Sequence, residues 1–180
     1  MKNLYILQKF LNFKKKPNMN RFISTKTFDN YSIAIRQWKA QHSHCHLLHG
    51  YGIYFKVWFA SHEPLEDNQL DDMNWIVDFG GFKDAPTGNG LKSWMDYMWD
   101  HTLLIEKDDP YLDFFMSAQM EDLCHVRVMD KMGCENLAKV VYDKFNEVLS
   151  KTDAGRCKVI KVECFEHGKN SSIYEEIPGT

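Results

Sequence analysis

From Leu48 to Ala60 apolar and polar residues alternate, with His49, Tyr51, Ile53, Phe55, Val57 and Phe59 on one side. Successive side chains of a strand point to opposite faces, so this pattern predicts a strand with that row buried. His49 and Tyr51 then point inward at its start. Phe22–Ala34, rich in Thr, Phe, Tyr and Ile, reads as a strand before it. Phe79–Trp99 has helical character, broken by Pro86-Thr87-Gly88-Asn89-Gly90. A short turn, a loop and a helix over Leu91–Trp99 are expected there. In Glu135–Ser150, residues Leu137, Ala138, Val141, Phe145, Val148 and Leu149 form one stripe at helical spacing. Ala154-Gly155 ends that helix, and Arg156–Glu166 returns to strand period. Its apolar row, Ile160, Val162 and Cys164, runs straight into Glu166. A carboxylate at the end of such a row is costly to bury without a partner. A short last strand covers Ser171–Glu176. The order is β-β-α-α-β-β, an α+β domain with helices between two hairpins.

Bulk properties narrow the function classes. The chain has 180 residues, enough for one domain, a net charge of −3 and a pI near 6.2. No basic footprint points to nucleic acid. No apolar run reaches the roughly 18 residues that span a bilayer. The five cysteines are odd in number and contain no Cys-x-x-Cys pair, the usage of free thiols in a reducing cytoplasm. Residues 1–19 place an apolar stretch before Lys14-Lys15-Lys16, the reverse of a secretory signal. They read as a poorly ordered extension, with a single domain over residues 20–180.

The chemistry gathers in four segments. Cys45-His46-Leu47-Leu48-His49-Gly50 sets a thiol four residues before a histidine, where the second strand begins. Trp75-Ile76-Val77-Asp78-Phe79 follows, then Trp99-Asp100-His101-Thr102-Leu103-Leu104, then Glu166 eight residues before Tyr174. In this order they resemble the 6-pyruvoyltetrahydropterin synthase / 6-carboxytetrahydropterin synthase family. That family reads Cys-x-x-x-His-Gly-His, hydrophobic-Asp-Phe at a strand exit, Leu-Asp-His, and Glu-Thr near the end. The resemblance covers Phe22 to Tyr174.

It implies a tunnelling fold, with an antiparallel sheet and helices packed on one of its faces. It also implies a hexamer with sites between subunits, and a lyase that eliminates triphosphate from 7,8-dihydroneopterin triphosphate. A route toward 6-carboxytetrahydropterin and deazaguanine (queuosine) products is favoured over a biopterin route. The alternative is a pterin-binding homologue that has lost catalysis. By motif, Cys45 is the acid/base, a role a thiol can fill near neutral pH. A free cysteine is also at home as a small buried hydrophobe. Asp100 and His101 match the proton relay, in which a carboxylate orients an imidazole. Glu166 matches the anchor of the pterin ring, because a carboxylate accepts two hydrogen bonds from a planar N–H edge. Glu135, beside Cys134 at a helix start, matches a pocket residue, although an acid there also suits the first helical turn.

The departure concerns the metal. The family holds zinc with one histidine on the first strand and His-x-His on the second. Here His49 is kept, but Ile35 and Tyr51 occupy the other two positions. Ile has no donor atom, and Tyr is an uncommon zinc ligand. His42, His44 and His46 would share a face if their stretch were extended. A zinc site rebuilt from His44, His49 and one further group is one reading; polar loop histidines are the other. Without a metal, Arg36, Lys39 or the Asp100-His101 pair would have to supply the electrostatics.

Overall fold

A computed structural model describes residues 21–61, 70–84, 88–152 and 155–177. The expected extension, residues 1–19, lies outside the described residues, as do Pro86 and Thr87 of the Pro86–Gly90 break. Strands β1 (Ser24–Ile35) and β2 (His49–Ser61) pair antiparallel from Ser24 opposite Phe59 to Ile35 opposite His49. The register slips between Phe28 and Tyr31. Asn30 there has φ 66°, a left-handed conformation that asparagine tolerates better than most residues. The bulge absorbs one extra residue, so Phe28 and Tyr31, three apart, both reach the core. The β2 alternation is as expected: Ile53, Phe55, Val57 and Phe59 are all buried.

Helix α1 (Leu91–Trp99) follows a 3-10 turn, Phe79–Phe82. Trp75 to Phe79, expected at a strand exit, is irregular instead. Ile76 and Val77 are buried, and Asp78 caps the turn by accepting from the Gly80 amide at 2.7 Å. Then come two strands and a helix that the periodicity did not disclose. They are β3 (Thr102–Glu106), α2 (Leu112–Met120) and β4 (His125–Met129). Helix α3 (Cys134–Leu149) and the hairpin of β5 (Cys157–His167) and β6 (Asn170–Glu175) complete the chain.

The sheet order is β4-β3-β1-β2-β5-β6. The expected β-β-α-α-β-β frame is present and α+β. Its four strands pair antiparallel, whereas β3 joins β1 and β4 joins β3 in parallel. The sheet is therefore mixed, which corrects the antiparallel expectation. The second correction concerns the helices. Leu91, Met95 and Trp99 of α1 and the α3 stripe bury on one face, among Phe55, Phe59 and Leu104. Phe115 of α2 packs on the other face, against Leu103, Ile105 and Val126. Every residue of β3 is consequently buried. A strand covered on both faces loses its alternation and reads as a plain apolar run.

Candidate active site

The site is built at the corner between β1 and β2. After Ile35 the chain forms a compact loop. The Gln37 amide donates to the Cys45 carbonyl at 2.8 Å, and the Cys45 amide donates to Ser43 Oγ at 3.2 Å. His44–His46 is one turn of 3-10 helix with Ser43 as its cap. Backbone bonds therefore hold Cys45, half-buried, independently of its own side chain. His42, His44 and His46 do not line one extended face, because a 3-10 turn spreads them around its axis. His46 Nδ1 bonds the Ser43 carbonyl at 2.6 Å, and His44 is exposed.

The loop is tied down by ions at its base. Arg36 Nε lies 3.0 Å from Asp109 Oδ2. Lys39 Nζ lies 2.6 Å from Asp108 and 3.3 Å from Glu106. Glu106 also accepts from the Met132 amide at 2.9 Å, which links this base to the segment leading into α3. Buried carboxylates such as Glu106 and Asp109 need such partners. Arg36 and Lys39 are thus neutralised where they stand. They do not supply free positive charge to the site, contrary to the sequence expectation.

Beyond Cys45 the ends of β2 and β5 and the start of α3 converge. Tyr51 sits edge-on to His49, with centroids 5.1 Å apart at 89°, and 6.2 Å from His167. Burial raises the Tyr51 phenol above its ordinary pKa, and Glu166, Cys45 and Cys134 nearby add to the shift. Cys134 opens α3 and is buried beside Cys164. The Cys134 thiol, and then burial, push the Cys164 thiol far up, so it stays protonated. Glu135 is exposed and accepts from Ser172 Oγ at 3.0 Å. Glu166 is half-buried at the end of its apolar row. Among the described residues its carboxylate makes no hydrogen bond or ion pair. Tyr51 thus feels the charges of both Cys45 and Glu166, and Glu135, in the first turn of α3, reaches the adjoining hairpin at Ser172. Tyr51, Gln37 and the Cys134–Cys164 pair were not singled out as functional from sequence. The only signal for Tyr51 was its position two residues after His49.

Asp100 and His101 stand elsewhere. Asp100 ends α1, and His101, at φ 52°, takes its carboxylate on Nδ1 at 2.8 Å. With Ser32, Gly50, Cys124 and His125, His101 lines a hollow of about 560 Å³. Gly50 lies between His49 and Tyr51, so that hollow opens on the other face of β2. Among the described residues, no hydrogen bond or ion pair joins Asp100 or His101 to Cys45.

The donors do not fit a zinc site. His49 Nδ1 is 2.7 Å from the Leu47 carbonyl. A carbonyl only accepts, so Nδ1 carries the hydrogen and Nε2 presents a lone pair. Nε2 is buried and, among the described residues, has no hydrogen-bond partner. The residue paired with His49 across the strands is Ile35, and Tyr51 pairs with Ile33. Among the described residues, no three His, Cys, Asp or Glu side chains come together as metal ligands. His44, exposed in its turn, does not complete a set with His49.

Residues 23–177 match the family model for 6-pyruvoyl tetrahydropterin synthase. No curated protein sequence matches the chain. An uncharacterized protein of Wolinella succinogenes is similar in structure, with TM-score 0.69 and 19% identity over 88% of this chain and 99% of that one. The 6-pyruvoyl tetrahydropterin synthase of Caenorhabditis elegans superposes with TM-score 0.57 and 18% identity, covering 88% and 98%. That of Plasmodium falciparum gives 0.52 and 12%, covering 87% and 99%. At these identities the likeness establishes the tunnelling fold.

Proposed function

The chain belongs to the 6-pyruvoyl tetrahydropterin synthase family, and on that footing we propose that it is a cytoplasmic lyase acting on 7,8-dihydroneopterin triphosphate. The preferred product is 6-carboxytetrahydropterin, on a deazaguanine route. The observation that supports this reading is that the Cys45 turn, Tyr51 at the start of β2 and Glu166 at the end of β5 come together at one end of the sheet. Glu166, without a hydrogen-bond or ion-pair partner among the described residues, anchors the ring edge of the pterin. Cys45 moves protons at the side-chain carbons, and Glu135 lines the pocket. The test is product formation from 7,8-dihydroneopterin triphosphate, followed by mass spectrometry. A catalytically silent pterin binder is the second reading, favoured by the donor set around His49. Pterin binding without any product would decide for it.

Glu166→Gln should weaken pterin binding by roughly 1.5–3 kcal/mol, the scale of a hydrogen bond to a charged group. Unchanged affinity by calorimetry would remove Glu166 from the site.

The Asp100-His101 relay can meet Cys45 only if a neighbouring subunit brings it. The outer strand β6 also leaves an open sheet edge, a feature that pairing between chains removes. Together with the family resemblance, which implies the number, this leads us to expect that the protein sediments as a hexamer. A clean monomer at micromolar concentration would contradict the relay as assigned.

A further inference from the structure

We propose that His49 and Tyr51 form a metal-free hydrogen-bonding pair for the hydroxylated side chain of the substrate, His49 Nε2 accepting from one hydroxyl and the Tyr51 hydroxyl donating to a neighbouring oxygen. This rests on the pterin reading above and deepens it. The ligand class is a planar heterocycle that carries adjacent hydroxyls on a short chain.

The first support is the His49 ring itself. Its Nδ1–H is fixed by the Leu47 carbonyl, so the remaining nitrogen can only accept. That acceptor is buried and has no hydrogen-bond partner among the described residues, a rare condition in a native protein that calls for an outside donor. The cross-strand neighbours Ile35 and Ile33 provide none. The second support is Tyr51, two residues on and therefore on the same face of β2. Its ring meets the His49 ring edge-on at 5.1 Å. A phenol is in its O–H form at neutral pH, and burial, then the Glu166 charge, push this one further that way, so it can donate. The third is position. The Tyr51 ring lies 6.2 Å from the ring of His167, the residue after Glu166, and the Glu166 and Cys45 charges both act on its phenol, so Tyr51 stands beside a ring held by Glu166. The ligand set explains the choice of bond as well. With isoleucine where a second donor would stand, an imidazole and a phenol can still bind hydroxyls, which need one acceptor and one donor rather than three ligands.

The experiment compares two probes by calorimetry on chelator-treated protein whose zinc content is checked by elemental analysis. One is 7,8-dihydroneopterin, which has the hydroxylated side chain. The other is 6-methyl-7,8-dihydropterin, which has the ring alone. Tyr51→Phe and His49→Phe are expected to lower affinity for dihydroneopterin about tenfold, the scale of one buried hydrogen bond. Affinity for the methylpterin should change less than about twofold, since those variants keep the ring site intact. Glu166→Gln should weaken both probes alike. The inference is overturned if the two substitutions affect both probes equally, or neither. It is also overturned if the preference for dihydroneopterin disappears on chelation and returns with added zinc. If neither probe binds the unsubstituted protein, the pterin reading fails and this inference falls with it.

Discussion

Replacing Cys45 with alanine is expected to lower turnover of 7,8-dihydroneopterin triphosphate by 10²–10⁴-fold, the range typical of a lost general acid or base. Pterin affinity should stay nearly unchanged. The separation follows from how the residue is held. Its amide rests on Ser43 Oγ, and its carbonyl receives the Gln37 amide. The thiol takes no part in either bond, so alanine keeps the 3-10 turn and removes only the sulfur. The loss should therefore fall on kcat and leave the dissociation constant of a pterin ligand alone. Cys45→Ser separates the roles further, because it keeps size and hydrogen bonding and withdraws the acidity of a thiol. Turnover at the unsubstituted rate in Cys45→Ala would end the assignment.

The second large effect is on stability. Phe145→Ala is expected to cost roughly 3–5 kcal/mol, the range for removing a fully buried aromatic ring. That is on the order of 10 °C in Tm for a chain of this size. Phe145 sits at the centre of α3 with no exposed surface. Its ring lies 5.3 Å from Phe28, 5.8 Å from Phe82 and 6.2 Å from Phe59. It thereby joins the helix to β1, to β2 and to the turn before α1. Edge-to-face pairs of this kind add to the area they bury. The hole left by alanine has four elements around it, and none can close it without shifting the others. Urea denaturation measures the cost. A loss below about 1.5 kcal/mol would show that this corner of the core collapses around the gap.

The frame of the fold was legible wherever one face of an element is wet. Strand β2 alternates because only one of its faces meets the core, and the stripe of α3 repeats for the same reason. Strand β3 was not legible. With α2 on one side and the main core on the other, Thr102-Leu103-Leu104-Ile105 has no polar face to set a period. Its parallel partner β4 pairs through contacts across a crossover, which local pattern does not encode.

The site divides along the same line. Sequence alone placed Cys45 at the start of β2 and put Glu166 at the end of an apolar row, while the expectation that Ile35 and Tyr51 stand at metal-ligand positions came from the family resemblance. The first two are statements about order and period, which the chain carries locally. Only the tertiary structure decided that Arg36 and Lys39 are already paired and that Asp100-His101 faces a different hollow from Cys45. It alone brought the Tyr51 ring near His167 and the charge of Glu166, and left His49 Nε2 buried with no donor among the described residues. Whether a polar atom is satisfied depends on which distant segments pack against it, and three-dimensional packing settles that.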